Sequence, residues 1–332
     1  MNYSLVLIDL SYLISRNIFS ISTWKKPGEY TPGDVVKSVF QTVSKLFKDY
    51  KITASKVVFL SDSWAPEYSG YYRSWVIRDL IEYKGDRECI RLSDVDLESL
   101  SPEEQDKVKA KAYMNAVKIK PKKLIINNFG KFGIPTISWE GWEADDLAWL
   151  SSNLLYDMID EKCLLVTKDS DWKYLLSPKM DYFVFPKVGN SVEIITHDDM
   201  YKSLPKEIQD KNISLYNYYS YINSLGDSHN NMKVTKRPRV NVAKTVIKIL
   251  SGDYSNVADM DGFNLQLSTF DLTNFPGYSE VSNLLKEKYF SMGHIGTFEE
   301  FSNFCNENNI YGLSENYYLE FIGNLNSDYY KD

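Results

Sequence analysis

A chain of 332 residues with 43% hydrophobic and 25% charged residues is long enough for one large α/β domain with appendages, or for two domains, and excludes global disorder. Its net charge of -7, taken alone, argues against a polyanionic partner. Three scattered cysteines, Cys89, Cys163 and Cys305, exclude a disulfide scaffold, a structural zinc or a redox motif and point to a reducing cytosol.

The first apolar run, Leu5 to Asp9, reads as a buried strand; it is too short for a signal peptide or a membrane span, so a cytoplasmic protein with no membrane partner is expected. Val35 to Asp49 places Val35, Val39, Val43, Leu46 and Phe47 on one helical face, and a second strand follows at Lys56 to Ser61. The connection from Asp62 to Gly133 is long enough for much more than one covering helix, which reads as either a functional lid or a disordered segment. Within it, Ser101 is a candidate N-cap, with Glu103 and Glu104 in the first turn of the helix it opens. Further strands are predicted at about Gly133 to Ser138, Cys163 to Thr167, Tyr182 to Phe185 and Val192 to Ile195, with a helix over Asp146 to Tyr156. Later helices are predicted at Val242 to Leu250, capped by Gly252, and at Val281 to Tyr289, Thr297 to Asn306 and Glu315 to Leu325. Alternating strands and helices imply an α/β fold with a mostly parallel central sheet flanked by helices over residues 1–197, followed by a smaller, mostly helical region over 198–332.

Acids collect where these strands end. Asp9, Asp62 and the pair Asp169 and Asp171 follow apolar runs, Glu143, Asp145 and Asp146 open a helix, and Asp253 follows another. Each alone reads as a cap or a surface residue. Together, at one edge of a parallel sheet, they would repel one another unless hard divalent cations were bound between them. Two-metal phosphodiester hydrolysis uses such a set, because both the attacking and the leaving oxygen need stabilising.

The basic residues are segregated from these acids. Lys107 to Lys131 contains no acid but includes Lys107, Lys109, Lys111, Lys118, Lys120, Lys122, Lys123 and Lys131. Ser228 to Gly252 likewise contains no acid, and holds Lys233, Lys236, Arg237, Arg239, Lys244 and Lys248. Both runs read either as solvated faces or as surfaces for phosphates. Aromatic residues, 14% of the chain with 25 Tyr, read mainly as core, with some available for stacking on bases. His197, His229 and His294 form no nucleophile or zinc pattern, and neither a P-loop nor a dinucleotide fingerprint is present.

The segments LVLIDLS around Asp9, VVFLSDS around Asp62, WEADDLA around Glu143, LLVTKDSDW around Asp169 and KILSGDYSN around Asp253 resemble, in order and spacing, the 5′-nuclease family. That family includes flap endonucleases, the 5′-nuclease domain of bacterial DNA polymerase I and the ribonuclease H of T-even bacteriophages. The likeness covers about residues 3–260 and is greatest to the phage enzymes, notably across YSGYYRSWVIRDLIEYKGDRE, Tyr68 to Glu88. It implies a PIN-like core with a helical arch over about residues 64–125. Asp9, Asp62, Glu143, Asp145, Asp146, Asp169, Asp171 and Asp253 become the implied ligands of two Mg²⁺ ions, replaceable by Mn²⁺. Lys84 and Arg87 match basic residues that face the scissile phosphate, where a fixed cation stabilises developing charge. Tyr83 matches a stacking position, with simple packing as the alternative. With Arg78, Lys107, Lys109, Lys111, Lys236, Arg237, Arg239 and Lys244, these form the implied nucleic-acid surface.

The implied activity is metal-dependent 5′ to 3′ exonuclease, flap endonuclease and ribonuclease H action on DNA and RNA-DNA hybrids with free 5′ ends or flaps. Removal of RNA primers during phage DNA replication follows, with a single-strand-binding protein and a sliding clamp as candidate partners. Two departures stand out. The loop Gly252-Asp253-Tyr254-Ser255-Asn256 lacks the further aspartate that family members commonly carry, leaving Asp259, Asp261 or water to complete the second ion's ligands. Residues Asp261 to Gly277 also lack the family's glycine-rich helix-turn-helix. A catalytically weakened protein that binds branched DNA as a replication accessory is the alternative reading, and a small PIN-type ribonuclease is disfavoured by the long crossover and the added C-terminal third.

Overall fold

A computed structural model describes residues 1–23, 25–26, 29–77, 99–156, 158, 162–186, 193–225, 242–290 and 295–325. In chain order the elements begin with β1 (Asn2–Asp9), α1 (Leu10–Ser22), α2 (Pro32–Lys48), β2 (Thr53–Leu60), α3 (Tyr72–Val76) and α4 (Pro102–Asn128). They continue with β3 (Thr136–Ile137), α5 (Ala144–Tyr156), β4 (Cys163–Val166), β5 (Met180–Phe183) and β6 (Ile194–Ile195). The remainder is helical: α6 (His197–Ser203), α7 (Lys206–Asp210), α8 (Leu215–Ser224), α9 (Val242–Leu250), α10 (Met260–Ser268), α11 (Tyr278–Phe290), α12 (Phe298–Glu307) and α13 (Glu315–Leu325). The chain divides into two units built from separate segments, one of Met1–Ser61, Arg87–Ile137 and Lys288–Asp332, the other of Asp62–Asp86 and Ser138–Glu287.

In the first unit β1 and β2 pair in parallel, from Asn2 opposite Thr53 to Asp9 opposite Leu60, and β3 joins β2 in parallel through Phe59 and Thr136. Leu5 to Ile8 and Val57 to Leu60 are buried, the near-continuous apolar character of parallel strands covered on both faces. β3 is shorter than the predicted Gly133 to Ser138, and Pro135, which has no N–H to donate, directly precedes it. α2 starts at Pro32, ahead of the predicted Val35, because Thr31 and Asp34 close a capping box around its first turn. Its apolar face buries Val35, Val39, Val43, Leu46 and Phe47 as the periodicity predicts.

At the centre of this unit Phe40 stacks on Phe129 at 4.1 Å and meets Phe301 and Phe321 edge-on, each at 5.3 Å. Residues far apart in sequence thus share one aromatic core, which draws α12 and α13 into the same unit as β1. α4 begins as predicted at Ser101, whose capping box with Glu104 is complete, and runs through Pro121.

The second unit pairs β4 and β5 in parallel, from Cys163 opposite Met180 to Val166 opposite Phe183, while β6 lies antiparallel to β5. Each residue of β4 and β5 is buried. α9 matches the predicted Val242 to Leu250 and ends where Gly252 takes φ +83°. There the Gly252 N–H reaches Ile249 O and the Asp253 N–H reaches Lys248 O, the two bonds of a Schellman closure. No helix among the described residues is long and apolar enough to cross a membrane.

Candidate active site

Asp9, in the first unit, is the last residue of β1 and the N-cap of α1, where its Oδ1 accepts the Tyr12 N–H at 2.9 Å. The other candidate acids belong to the second unit.

There, hydrogen bonds link three of the acidic clusters. The Ala144 N–H donates to Asp62 Oδ1 at 2.8 Å, so the residue that follows β2 by two positions holds the first turn of α5. The Glu143 N–H donates to Asp146 Oδ2 at 3.2 Å, half of a capping box, and Glu143 and Asp146 are 5% and 1% exposed. Trp172 then donates its indole N–H to Asp145 Oδ1 at 2.6 Å, tying the turn that carries Asp169 and Asp171 to the same helix start. The positive end of α5 offsets part of the charge gathered there.

The carboxylates of Asp146, Asp169 and Asp171 also meet further donors. Arg73 of α3 donates to Asp146 Oδ1 in a buried ion pair, and its guanidinium carbon sits 5.0 Å from the centre of the Phe270 ring. Tyr219 of α8 donates its hydroxyl to Asp171 Oδ2 at 2.7 Å, while the Asp171 N–H donates to Asp169 Oδ1 at 3.0 Å. Tyr182 of β5 donates to the Asp169 carbonyl at 3.0 Å. Burial pushes the Tyr219 hydroxyl well above its ordinary pKa, and the Asp171 charge adds to the shift. Tyr219 therefore stays protonated and able to donate.

Asp253 lies past α9, where it accepts the Ser255 N–H at 2.9 Å and pairs with Lys248 at 3.2 Å. The Ser255 hydrogen bonds, then Lys248, lower its pKa to about 2. Asp259 caps α10 by accepting the Gly262 N–H at 2.9 Å.

The donor set is made of carboxylate oxygens, the chemistry that Mg²⁺, Mn²⁺ and Ca²⁺ require. Among the described residues, however, no group of three or more His, Cys, Asp or Glu side chains is arranged to hold an ion. The arrangement seen is one of carboxylates satisfied by Arg73, Trp172, Tyr219 and backbone N–H groups, so an ion binding here would exchange with protein donors.

Arg78, Tyr83, Lys84, Arg87, Lys236, Arg237 and Arg239 lie outside the described residues. Lys107 and Lys109 are exposed on α4, with Lys107 2.6 Å from Glu103, and Lys111 belongs to the same helix. Lys244 is exposed on α9. Arg73 and Trp172 were within reach of sequence reading, since they stand inside the segments YSGYYRSWVIRD and LLVTKDSDW. Nothing in the pattern near Tyr219 marks it, because its partner Asp171 is 48 residues away.

No protein-family model matches the chain, and no curated protein matches it in sequence. Solved structures do. A flap endonuclease of bacteriophage T5, D15, in a pseudo-enzyme-product complex with DNA and metal ions, superposes with a TM-score of 0.55 at 20% identity, covering 88% of this chain and 100% of that one. The T5 D15 protein co-crystallised with metal ions gives 0.53 at 18% identity over 87% and 100% of the two chains. Human GEN1 in complex with Holliday junction DNA gives 0.50 at 13% identity over 97% and 71%. The chain therefore carries the fold of the 5′-nucleases.

Proposed function

We propose that this protein is a divalent-metal-dependent 5′-nuclease that hydrolyses phosphodiesters at free 5′ ends, at 5′ flaps and in RNA-DNA hybrids. The observation that carries the reading is the hydrogen-bonded junction of Asp62, Glu143, Asp145, Asp146, Asp169 and Asp171 on a fold shared with flap endonucleases. Asp9, at the carboxyl end of β1, and Asp253 complete the proposed ligand set, with Mg²⁺ the natural ion and Mn²⁺ a substitute.

Divalent ions held by these acids would supply Lewis-acid stabilisation of charge on the phosphate oxygens and favour ionisation of the attacking water. The protein's own part is to aim the carboxylates. Arg73 orients Asp146, Trp172 orients Asp145 and Tyr219 orients Asp171. Lys84 and Arg87 are proposed to face the scissile phosphate, with Tyr83 stacked on the adjoining base. Arg78, Lys107, Lys109, Lys111, Lys236, Arg237, Arg239 and Lys244 would hold the backbone of the strand and the duplex. Removal of RNA primers during phage replication, beside a single-strand-binding protein and a sliding clamp, is the proposed setting.

The test is cleavage of 5′-flap, nicked and RNA-DNA hybrid substrates in Mg²⁺ by the wild type and by Asp169→Asn/Asp171→Asn. Undiminished cleavage by the double variant would remove the metal assignment. Lys84→Ala should slow single-turnover cleavage much more than it weakens binding. Affinity should fall with salt by about 0.9 log units per log unit of salt for each phosphate neutralised. A wild type that binds these substrates but cleaves none of them would leave the accessory-protein reading.

A further inference from the structure

A cavity of about 600 Å³ in the first unit is lined by residues of α1 and α2 with Tyr317 of α13, and none of the candidate acids contributes to it. Its size falls in the range of small-ligand pockets, about 300 to about 1,000 Å³. Its walls are basic. Arg16 of α1 and Lys37, Lys45 and Lys48 of α2 line it, against two acids, Asp34 and Asp49.

Of these acids, Asp34 is already engaged, since it accepts the Thr31 N–H at 2.8 Å and pairs with Lys25 at 3.2 Å. Lys48 reaches Glu320 at 2.5 Å, whereas Lys37 and Lys45 have no carboxylate partner among the described residues. Lys37 is half-buried, so its ammonium gives up part of its hydration with no acid in return. An anion in the cavity would supply that return.

Below the cations the wall is a fixed polar network. Asn17, buried in α1, accepts the Ser38 hydroxyl at 2.6 Å and the Thr42 hydroxyl at 2.7 Å, and its own amide donates to Leu13 O at 2.8 Å. The buried Ser44 shares a hydrogen bond of 2.8 Å with the Tyr317 hydroxyl. Apolar cavities stay dry and take apolar ligands, whereas one walled by hydroxyls and unpaired ammonium groups favours negative charge.

The placement of the two acids limits the length of the ligand. Asp34 and Asp49 are roughly 22 Å apart along α2, with Lys37 and Lys45 between them, roughly 12 Å apart. A nucleic-acid strand laid along the helix would meet a carboxylate at each end of the basic stretch. A compact anion fits between.

We propose that this cavity is a binding site for a compact polyphosphate, free or carried by a nucleotide, held by Lys37 and Lys45 with Arg16 supplying a third charge. The site is separate from the acids to which the nuclease reading assigns catalysis, so the two stand or fall independently.

Calorimetric titration with ATP, tripolyphosphate and adenosine tests the site, in EDTA so that no divalent ion carries the phosphates to the acids. The wild type should bind one equivalent of ATP or of tripolyphosphate and no adenosine, and either phosphate ligand should raise its unfolding midpoint. Lys45→Gln, at an exposed residue whose change spares the fold, should weaken ATP binding about tenfold, and Lys37→Gln/Lys45→Gln should weaken it further. Lys206→Gln removes an exposed charge from the second unit and should leave binding unchanged. A wild type that binds neither phosphate ligand, a double variant that binds both as the wild type does, or equal losses in Lys206→Gln and Lys45→Gln would overturn the assignment. A single-stranded oligonucleotide that binds through Lys37 and Lys45 where ATP does not would overturn it as well, and would make this face a strand surface.

Discussion

Arg73 and Asp146 form an ion pair that water barely reaches, with side chains 13% and 1% exposed. Asp146 also accepts the Glu143 N–H, so this carboxylate joins α3 to the first turn of α5. Removing one partner strands a buried charge, which costs about 3–5 kcal/mol, whereas removing both costs less. We expect Arg73→Gln to lower the urea midpoint more than Arg73→Gln/Asp146→Asn does. A double-mutant cycle with coupling near zero would show that the pair contributes nothing and that Arg73 serves only by packing against Phe270.

Tyr219 holds Asp171 with a single hydrogen bond to a charged acceptor, an interaction worth about 1.5–3 kcal/mol. Tyr219→Phe keeps the ring stack on Tyr174 and the edge contact to Phe270, so it isolates the hydroxyl. Stability should drop by about 2 kcal/mol, while Tyr201→Phe, at a half-buried residue whose hydroxyl makes only 3.4 Å contacts to neutral acceptors, should change it little. Equal effects from the two variants would count against the hydroxyl as the anchor of Asp171.

Alkaline pH should expose the same residue. Burial raises the pKa of Tyr216 and of Tyr219 in the folded state, with Asp171 adding to the shift of Tyr219. Below about pH 10 both tyrosines are neutral whether the chain is folded or not, so their contribution is fully present. Above about pH 10 only the unfolded chain releases these protons, and stability falls as pH rises. Urea midpoints at about pH 9 and about pH 11 should therefore diverge more for the wild type than for Tyr216→Phe/Tyr219→Phe. Identical divergence would place the alkaline sensitivity elsewhere.

Two glycines with nearly the same backbone make a controlled comparison. Gly141 has φ +81° and Gly252 φ +83°, but a Cβ on Gly141 would strike the Tyr68 ring at 2.8 Å, whereas one on Gly252 meets nothing within 4 Å. Gly252→Ala should cost only the left-handed penalty, about 1–2 kcal/mol. Gly141→Ala should add about 1–3 kcal/mol for displaced packing and should disturb the near-UV circular dichroism of Tyr68 and the rings it meets. Equal losses at the two positions would mean that Tyr68 moves aside freely.

The periodic parts of this fold were legible in the sequence. α9 and α13 lie where their apolar spacing and flanking residues predict, and Thr297 and Ser101 cap the helices they were expected to open. α1 was missed because Leu10 to Ser22 directly follows a strand with no loop between, and its only start signal is Asp9, which the acidic pattern had already claimed. α8 and α10 were missed because their buried faces use Tyr218, Ser220, Asn223, Gly262 and Gln266, polar or small residues that a hydrophobic period does not register. Asp62, Glu143, Asp145, Asp146, Asp169 and Asp171 were legible along the chain, because each follows a strand or opens a helix, and hydrogen bonds tie their segments together. Of their partners, Arg73 and Trp172 stand inside the same segments, whereas Tyr219 carries no local signal, because distance across the fold rather than spacing along the chain brings it to Asp171.

Asp253 is where the proposed ligand set is thinnest, and it yields a countable outcome. It is 45% exposed in its side chain, and the Ser255 and Lys248 contacts that lower its pKa to about 2 keep it ionised at any pH where the protein would work. An ionised, accessible carboxylate is available to an ion once the Lys248 amine swings away, which an exposed pair permits at little cost. Calorimetric titration with Mn²⁺ should thus count two ions in the wild type and one in Asp253→Asn, with unfolding midpoints in EDTA the same for both. Lys248→Ala, which removes the competing cation, should tighten the weaker of the two binding steps. If Asp253→Asn still takes up two ions with unchanged affinity, Asp253 is a loop cap, and the second ion must be held by the acids around α5.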